Sequence, residues 1–160
     1  NATNTVVIGA HYDHLGYGDN HSLYRGEPAI HNGADDNASG ISLMLELASI
    51  LKKSKFKNNN YLFIAFSGEE LGLYGSSYFT KSGLMDKYKI NYMLNMDMVG
   101  RLDSADRTLI VNGTGTSPSW KEAMDGLLFG GFQRWEKAIH SLLPEKQGRG
   151  PGRFPNRLGR

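Results

Sequence analysis

Three apolar runs dominate this sequence, and a charged or imidazole side chain follows each of them at its C-terminal end. The runs cover residues 5–10, 61–66 and 92–96. Runs with so few polar residues predict buried strands of the kind found in parallel sheets covered on both faces. Because amphipathic helical patterns lie between them, the sequence predicts an α/β fold. We expect a three-layer sandwich with a mostly parallel central sheet flanked by helices.

The clearest helical pattern lies between the first two runs. Its apolar residues recur at spacings of one, three or four positions, at Ile41, Met44, Leu45, Ala48 and Leu51. This spacing predicts an amphipathic helix whose apolar face packs on the sheet. Shorter patterns predict a helix over residues 76–81, a fourth strand over residues 108–111 and a helix over residues 120–127.

Potential metal ligands follow every one of the three predicted buried strands. The first strand leads into His11, Asp13 and His14, the second into Glu69 and Glu70, and the third into Asp97. Asp35, Asp36 and Asn37 directly precede the predicted long helix. Ligands of open α/β sheets bind beyond the carboxyl ends of the strands, so these side chains are expected to meet at one edge. One imidazole among several carboxylates indicates a divalent-metal site.

Each feature also has an ordinary structural explanation when it is taken alone. A single histidine such as His11 is more often a surface or hydrogen-bonded residue, an Asp-Asp-Asn run commonly caps a helix, and a Glu pair is commonly solvated. Asp97 is harder to explain in this way, because its neighbours in the sequence are apolar and an unpaired buried carboxylate is costly. The joint placement of all these residues favours the metal site.

Four segments of the chain resemble, in order, the motifs of the M28 family of zinc-dependent peptidases. They are VIGAHYDH at residues 7–14, NGADDNASG at residues 32–40, FSGEELG at residues 66–72 and NMDM at residues 95–98. The resemblance implies an α/β domain with a co-catalytic pair of zinc ions. It also implies that the chain is incomplete at both ends, because the family's domain has an upstream segment and further strands and helices downstream.

The resemblance implies a role for each matching residue at the metal site. The implied zinc ligands are His11 and Asp97 for the first ion, Glu70 for the second, and Asp36 as the carboxylate that bridges both. Asp36 is preferred to Asp35 because the family's bridging carboxylate stands four residues before the glycine of a Ser-Gly pair, here Gly40. The family also has a cis peptide bond directly after the bridging residue.

Two further residues have implied roles in catalysis. Glu69 is the implied general base, which takes a proton from the attacking water and returns it to the leaving amine. Asp13 is expected to accept the second ring N–H of His11, because residues i and i+2 of an extended segment lie on one face.

The implied function is a zinc exopeptidase that removes N-terminal residues from peptides, so the expected partner is a peptide with a free N-terminus. A carboxypeptidase or amidohydrolase of the same family remains an alternative. A second alternative is an inactive zinc-binding or interaction module of the same fold. The presence of Glu69, the implied general base, favours an active enzyme, whereas a missing zinc ligand favours the inactive module.

That missing ligand is a histidine that the resemblance places well downstream, in a Ser-Asp-His context. The only histidine after Asp97 is His140, which lacks a preceding Asp and is disfavoured as the replacement. The second zinc site is therefore expected to lack its histidine, and this chain to be impaired. His14, His21 and His31 stay open as residues that line the site, with a solvated position favoured for His21.

Residues 129–160 differ in composition from residues 1–128. They contain seven basic and two acidic residues, and the last thirteen include four Gly, four Arg and two Pro. Such a composition does not build a packed core. We expect residues 1–128 to be a partial catalytic domain and residues 129–160 to be an atypical basic tail, disordered or produced by a frameshift. A tail that binds nucleic acid is disfavoured, because repeated motifs and interleaved aromatics are lacking.

Composition excludes several other function classes. The chain has no cysteine, which excludes disulfides, thiolate metal sites and cysteine nucleophiles. Its apolar runs are too short to span a bilayer, so no membrane partner is expected. No signal peptide is recognised, and a secreted or periplasmic location rests on the family resemblance alone. The preferred substrate side chain and the oligomeric state are left open by the sequence.

Overall fold

The structure, a computed structural model, describes residues 2–18, 21–101, 110–120 and 122–123. The chain divides into two compact units, residues 1–107 and residues 108–160. The first unit is an α/β arrangement, which confirms the predicted fold class. The described part of the second unit holds a 3-10 helix, Thr114–Thr116, and a helical stretch that starts at residue 118. No helix among the described residues is both long and apolar enough to cross a membrane.

The described part of the sheet in the first unit has three parallel strands, β1 (Thr5–His11), β2 (Asn60–Phe66) and β3 (Ile90–Asn95), in the order β2-β1-β3. All seven residues of the central β1 are buried, as its apolar sequence predicts. The β3 strand is exposed over most of its length, so burial on both faces holds for β1 alone. His11 pairs with Phe66, which brings the C-terminal ends of β1 and β2 together at one edge.

Among the described residues of this unit, three helices accompany the sheet: α1 (Ala38–Lys53), α2 (Tyr74–Lys81) and α3 (Leu84–Tyr88). The core of the unit joins α1 to β1 through Val6, Ile8, Met44 and Met96, with partly buried Ile41, Leu43, Leu47 and Leu51 around them. Leu45 was expected on the packed face, but its side chain is 63% exposed. Leu47 packs against the core instead.

Several elements predicted from the sequence differ or fall outside the described residues. The helix predicted over residues 76–81 begins two residues earlier, and α3 was not predicted. Of the strand predicted over residues 108–111, only Ile110 and Val111 are described, and neither lies in a strand. Most of the helix predicted over residues 120–127 and the whole of residues 129–160, including His140, lie outside the described residues.

Candidate metal centre

His11, the last residue of β1, lies at the centre of the cluster of acidic side chains. Its Nε2 is 3.1 Å from Asp36 Oδ1, 3.5 Å from Asp97 Oδ1 and 4.0 Å from Glu69 Oε2. The residue is only 3% exposed. The sequence-predicted first set of ligands, His11, Asp36 and Asp97, therefore comes together from three separate segments, with one ligand atom of each residue within 4.8 Å of the others.

The residues of this first set fit a divalent cation. The buried Nε2 of His11 has no hydrogen-bond partner among the described residues. An unsatisfied buried polar atom is costly, and a nitrogen that faces two carboxylate oxygens is the donor arrangement that zinc accepts. On the other side of the ring, Nδ1–H donates to the carbonyl oxygen of Asp13 at 3.1 Å. The lone pair of Nε2 is then available to bind a metal ion.

The local electrostatic field also favours a cation. Burial by itself would lower the pKa of His11, but the negative charges of Asp97, Glu69 and Asp36, together with the Asp13 carbonyl, outweigh it and raise the pKa. The cluster thus attracts positive charge to Nε2, whether a proton or a metal ion supplies it. Asp97 raises the pKa of His11 because its carboxylate lies close to Nε2. Its own side chain is 43% exposed, in spite of its apolar neighbours in the sequence.

A second set of potential ligands shares Asp36 with the first. His14 Nδ1 lies 2.6 Å from Glu70 Oε1 and 4.0 Å from Asp36 Oδ2, and the ligand atoms of these three residues lie within 4.8 Å of one another. The two oxygens of Asp36 consequently face different sets, Oδ1 toward His11 and Oδ2 toward His14.

Asp13 occupies the expected region but makes different contacts from those expected. Its carboxylate oxygen is 3.8 Å from His11 Nδ1, too far for the anticipated hydrogen bond, and its backbone carbonyl accepts that N–H instead. The carboxylate accepts the backbone N–H groups of Glu69 and Glu70, at 3.2 and 3.3 Å. The chain turns after β1 so that the side chain of Asp13 points toward β2, which the i and i+2 rule for extended segments did not anticipate.

Comparison with known proteins identifies the family of this chain. The model of Peptidase family M28 matches residues 1–138. The chain belongs to peptidase family M28. It is similar to Aminopeptidase YwaD of Bacillus subtilis, with 36% identity over 110 residues that make up 67% of this chain and 21% of that protein.

Two fungal relatives show the same partial coverage. The "Probable zinc metalloprotease" of Pyrenophora tritici-repentis is 37% identical over 102 residues, which are 64% of this chain and 22% of the relative. The "Probable leucine aminopeptidase" of Trichophyton verrucosum is 37% identical over 102 residues, which are 61% and 25%. The chain thus spans about a fifth to a quarter of the length of these curated relatives. No solved structure matches it significantly.

In this M28 chain, the segment before α1 gives its two aspartates different surroundings. Asp35 accepts the backbone N–H of Gly100 at 2.8 Å and the Nε–H of Arg101 at 2.6 Å, whereas Asp36 faces the two histidines. The structure therefore places Asp36, not Asp35, between the two sets of ligands. The peptide bond between Asp36 and Asn37 is cis, as the M28 resemblance implies.

Glu69 lies beside the ligand sets without belonging to either of them. Its pKa is raised, first because the side chain is partly desolvated and then because Glu70, Asp97 and Asp36 are negative, although His11 opposes the shift. A cavity of about 170 Å³ adjoins it and is lined in part by His11, Phe66, Ser67, Leu73 and Met93. Glu69 thus reaches the ligand cluster on one side and a partly apolar recess on the other.

The loop histidines occupy three different positions. His14 joins the second ligand set, and the only hint in the sequence was its place three residues after His11, just beyond the end of β1. The ring of His31 stands edge-on to that of His14, with centroids 6.1 Å apart, and its Nε2 lies 3.1 Å from Ser22 Oγ. His21 is exposed.

Proposed function

We propose that this M28 chain forms the metal-binding part of a co-catalytic zinc aminopeptidase, which removes N-terminal residues from peptides. The observation that carries the proposal is the position of Asp36, whose two carboxylate oxygens face two separate sets of ligands. Relatives named as aminopeptidases and zinc metalloproteases support the class of reaction. The activity is proposed for the full-length protein, because the chain spans only part of the relatives' length.

The ligands for two zinc ions come from both sets. His11, Asp36 and Asp97 would hold the first ion, and Asp36 and Glu70 would hold the second, with His14 as the imidazole within reach. A bound zinc pair supplies a water of lowered pKa and positive charge near the substrate carbonyl. Three protein ligands are the usual number for a catalytic zinc, and His14 would supply the imidazole for which the M28 resemblance implies a downstream histidine.

Glu69 is suited to act as the general base. Its carboxylate lies next to the ligands but is not one of them, so its proton-accepting oxygens stay available. A raised pKa brings a carboxylate closer to the value at which it accepts and then releases a proton near neutral pH. Glu69 would take a proton from the attacking water and return it to the nitrogen of the leaving amine.

The charge of the cluster favours the amino end of a substrate over the carboxyl end. Five carboxylates gather at this edge of the sheet, from Asp13, Asp36, Glu69, Glu70 and Asp97. Two divalent ions leave the set with one negative charge in excess, which attracts an α-ammonium group and repels an α-carboxylate. This supports an aminopeptidase over the carboxypeptidase alternative.

The test uses the full-length protein, leucine p-nitroanilide and its N-acetylated analogue. We expect hydrolysis of the free-amine substrate alone, and we expect Glu69→Gln to reduce kcat by at least about a hundredfold while zinc content stays unchanged. Glu46→Gln is the matched control, because Glu46 is exposed on α1, and it should keep full activity. Zinc binding without any hydrolysis would favour the inactive module, and equal cleavage of the acetylated substrate would refute the aminopeptidase assignment.

A further inference from the structure

Side chains alternate in direction along the segment that leads into α1. Asp36 faces the histidines, whereas Asp35, Asn37 and Ser39 all turn toward the loop after β3, residues 96–101. Three consecutive backbone N–H groups of that loop donate to these three side chains: Met98 to Asn37, Val99 to Ser39 and Gly100 to Asp35. We call Asp35, Asn37 and Ser39 the loop clamp.

Asn37 makes the central contacts of the loop clamp and is 2% exposed. Its Nδ2–H donates to the Met96 carbonyl at 3.0 Å, and its Oδ1 accepts the Met98 N–H at 3.3 Å. The same Oδ1 accepts the Gly40 N–H at 3.0 Å, which caps the N-terminus of α1. One buried amide thus holds the residues on both sides of Asp97 and ties them to the helix that begins next to Asp36.

Asp35 and Ser39 hold the remainder of the loop. Ser39 Oγ donates to the carbonyl of Asp35 at 2.6 Å and accepts the N–H of Val99 at 3.1 Å. Asp35 accepts the N–H of Gly100 at 2.8 Å and the Nε–H of Arg101 at 2.6 Å. The clamp is therefore a connected set of hydrogen bonds rather than separate caps.

One residue of the loop after β3 has an uncommon backbone conformation that its surroundings must stabilise. Met98 has φ of +51°, in the left-handed region that a residue with a side chain rarely adopts. A strained residue of this kind persists only where its surroundings fix it. The residue directly before it is Asp97, so a loop released from the clamp would move that carboxylate away from His11.

We propose that the loop clamp is a positioning device that sets where the carboxylates of Asp36 and Asp97 stand around His11. It rests on the proposed function, in that these carboxylates are taken to hold the first zinc ion. Neighbours that orient metal ligands commonly govern metal affinity, because a ligand set that is already in place loses less entropy on binding. None of the three clamp residues contacts the ion in this proposal.

The test measures zinc affinity of the full-length protein by competition with a chromogenic chelator. Asn37→Ala should weaken binding of the first ion by roughly ten- to a hundredfold. Asn37→Asp should recover part of that loss, because it keeps the oxygen that accepts from Gly40 and Met98 but loses the donor to Met96. Ser42→Ala is the matched control on the same helix, since its exposed hydroxyl donates to the Ala38 carbonyl oxygen of the preceding turn, and it should leave affinity unchanged.

A purely structural role for Asn37 would lower the melting temperature of the zinc-free protein and leave the affinity of the folded protein unchanged. That result would overturn the proposal. If Asn37→Ala does not fold, Ser39→Ala removes a single partner of the loop, and a fewfold loss of affinity is expected where the structural role predicts none. Because affinity is measured without turnover, an inactive protein whose zinc affinity still responds to Asn37 would refute the aminopeptidase proposal alone.

Discussion

The carboxylate of Asp13 accepts the backbone N–H of Glu69 at 3.2 Å, across the gap between the ends of β1 and β2. Its second oxygen accepts the N–H of Glu70 at 3.3 Å. One side chain therefore fixes the turn that carries both the proposed base and a proposed ligand of the second ion. The loss of an orienting carboxylate at a metal centre typically costs metal affinity or activity.

We accordingly expect Asp13→Ala to reduce kcat by roughly ten- to a hundredfold and to weaken the second zinc ion more than the first. Asp13→Asn keeps one oxygen acceptor, so its kcat and zinc affinity should lie between those of Asp13→Ala and the wild type. Steady-state kinetics and zinc titration measure the two effects. A variant that loses only the first ion would show that the contact of Asp13 with His11 matters more than its contacts with the Glu pair.

His14 gives a direct test of the second ligand set. Its Nδ1 lies 2.6 Å from Glu70 Oε1, so His14→Ala should remove a ligand and reduce bound zinc from two ions toward one after dialysis against a weak chelator. Glu46→Gln is the control, because Glu46 is exposed on α1. Metal analysis of the dialysed proteins gives the answer. Two tightly held ions in the His14 variant would mean that another residue supplies the imidazole.

The strands and the edge of the sheet at which the ligands meet could be predicted from the sequence, because burial forces β1 to be continuously apolar and parallel strands end at a common edge. Asp36, Glu70 and Asp97 could be selected through the M28 motifs. The direction of side chains in loops was not predictable in this way. Whether Asp13 faced His11 or the Glu pair, and whether His14 joined the site, depended on turns that carry no periodic pattern.

The packed face of α1 illustrates a second limit. Leu45 and Leu47 are both apolar and differ by only two positions, so the spacing of apolar residues did not decide which of them contacts the sheet. Leu47 packs against the core and Leu45 is exposed. The N-terminus of α1 is also held by hydrogen bonds from the loop after β3 to Asn37 and Ser39, and a hydrophobic pattern ignores such polar contacts.

Gly40 should not tolerate a side chain. A Cβ built there would lie 2.5 Å from the Met96 carbonyl oxygen and would also collide with the side-chain oxygen of Asn37. Gly40→Ala should therefore lower the free energy of unfolding by about 1–3 kcal/mol and weaken zinc binding along with it. Gly115→Ala is the control, because no atom of the described residues beyond its chain neighbours lies within 4 Å of the new methyl group. Denaturant unfolding measures both, and an unchanged midpoint for Gly40→Ala would contradict the close packing of α1 on this loop.

The contribution of Asp35 to the free energy of unfolding should depend on pH. Burial by itself would raise the pKa of Asp35, but the hydrogen bonds that its carboxylate accepts from Arg101 and Gly100 lower it below the ordinary value. A lowered pKa means that the ionised carboxylate stabilises the fold fully above the unfolded pKa of about 3.9 and ceases to do so as the pH falls through the folded pKa.

The free energy of unfolding of the wild type should thus exceed that of Asp35→Asn near neutral pH, by less than about 1 kcal/mol because Arg101 is 63% exposed and screened by solvent. The difference should shrink as the pH drops from about 5 to about 2.5, and chemical unfolding of the zinc-free proteins across that range measures it. Arg101→Ala should lose part of the same difference, whereas an offset that does not change with pH would mean that Asp35 holds Gly100 without the help of its charge.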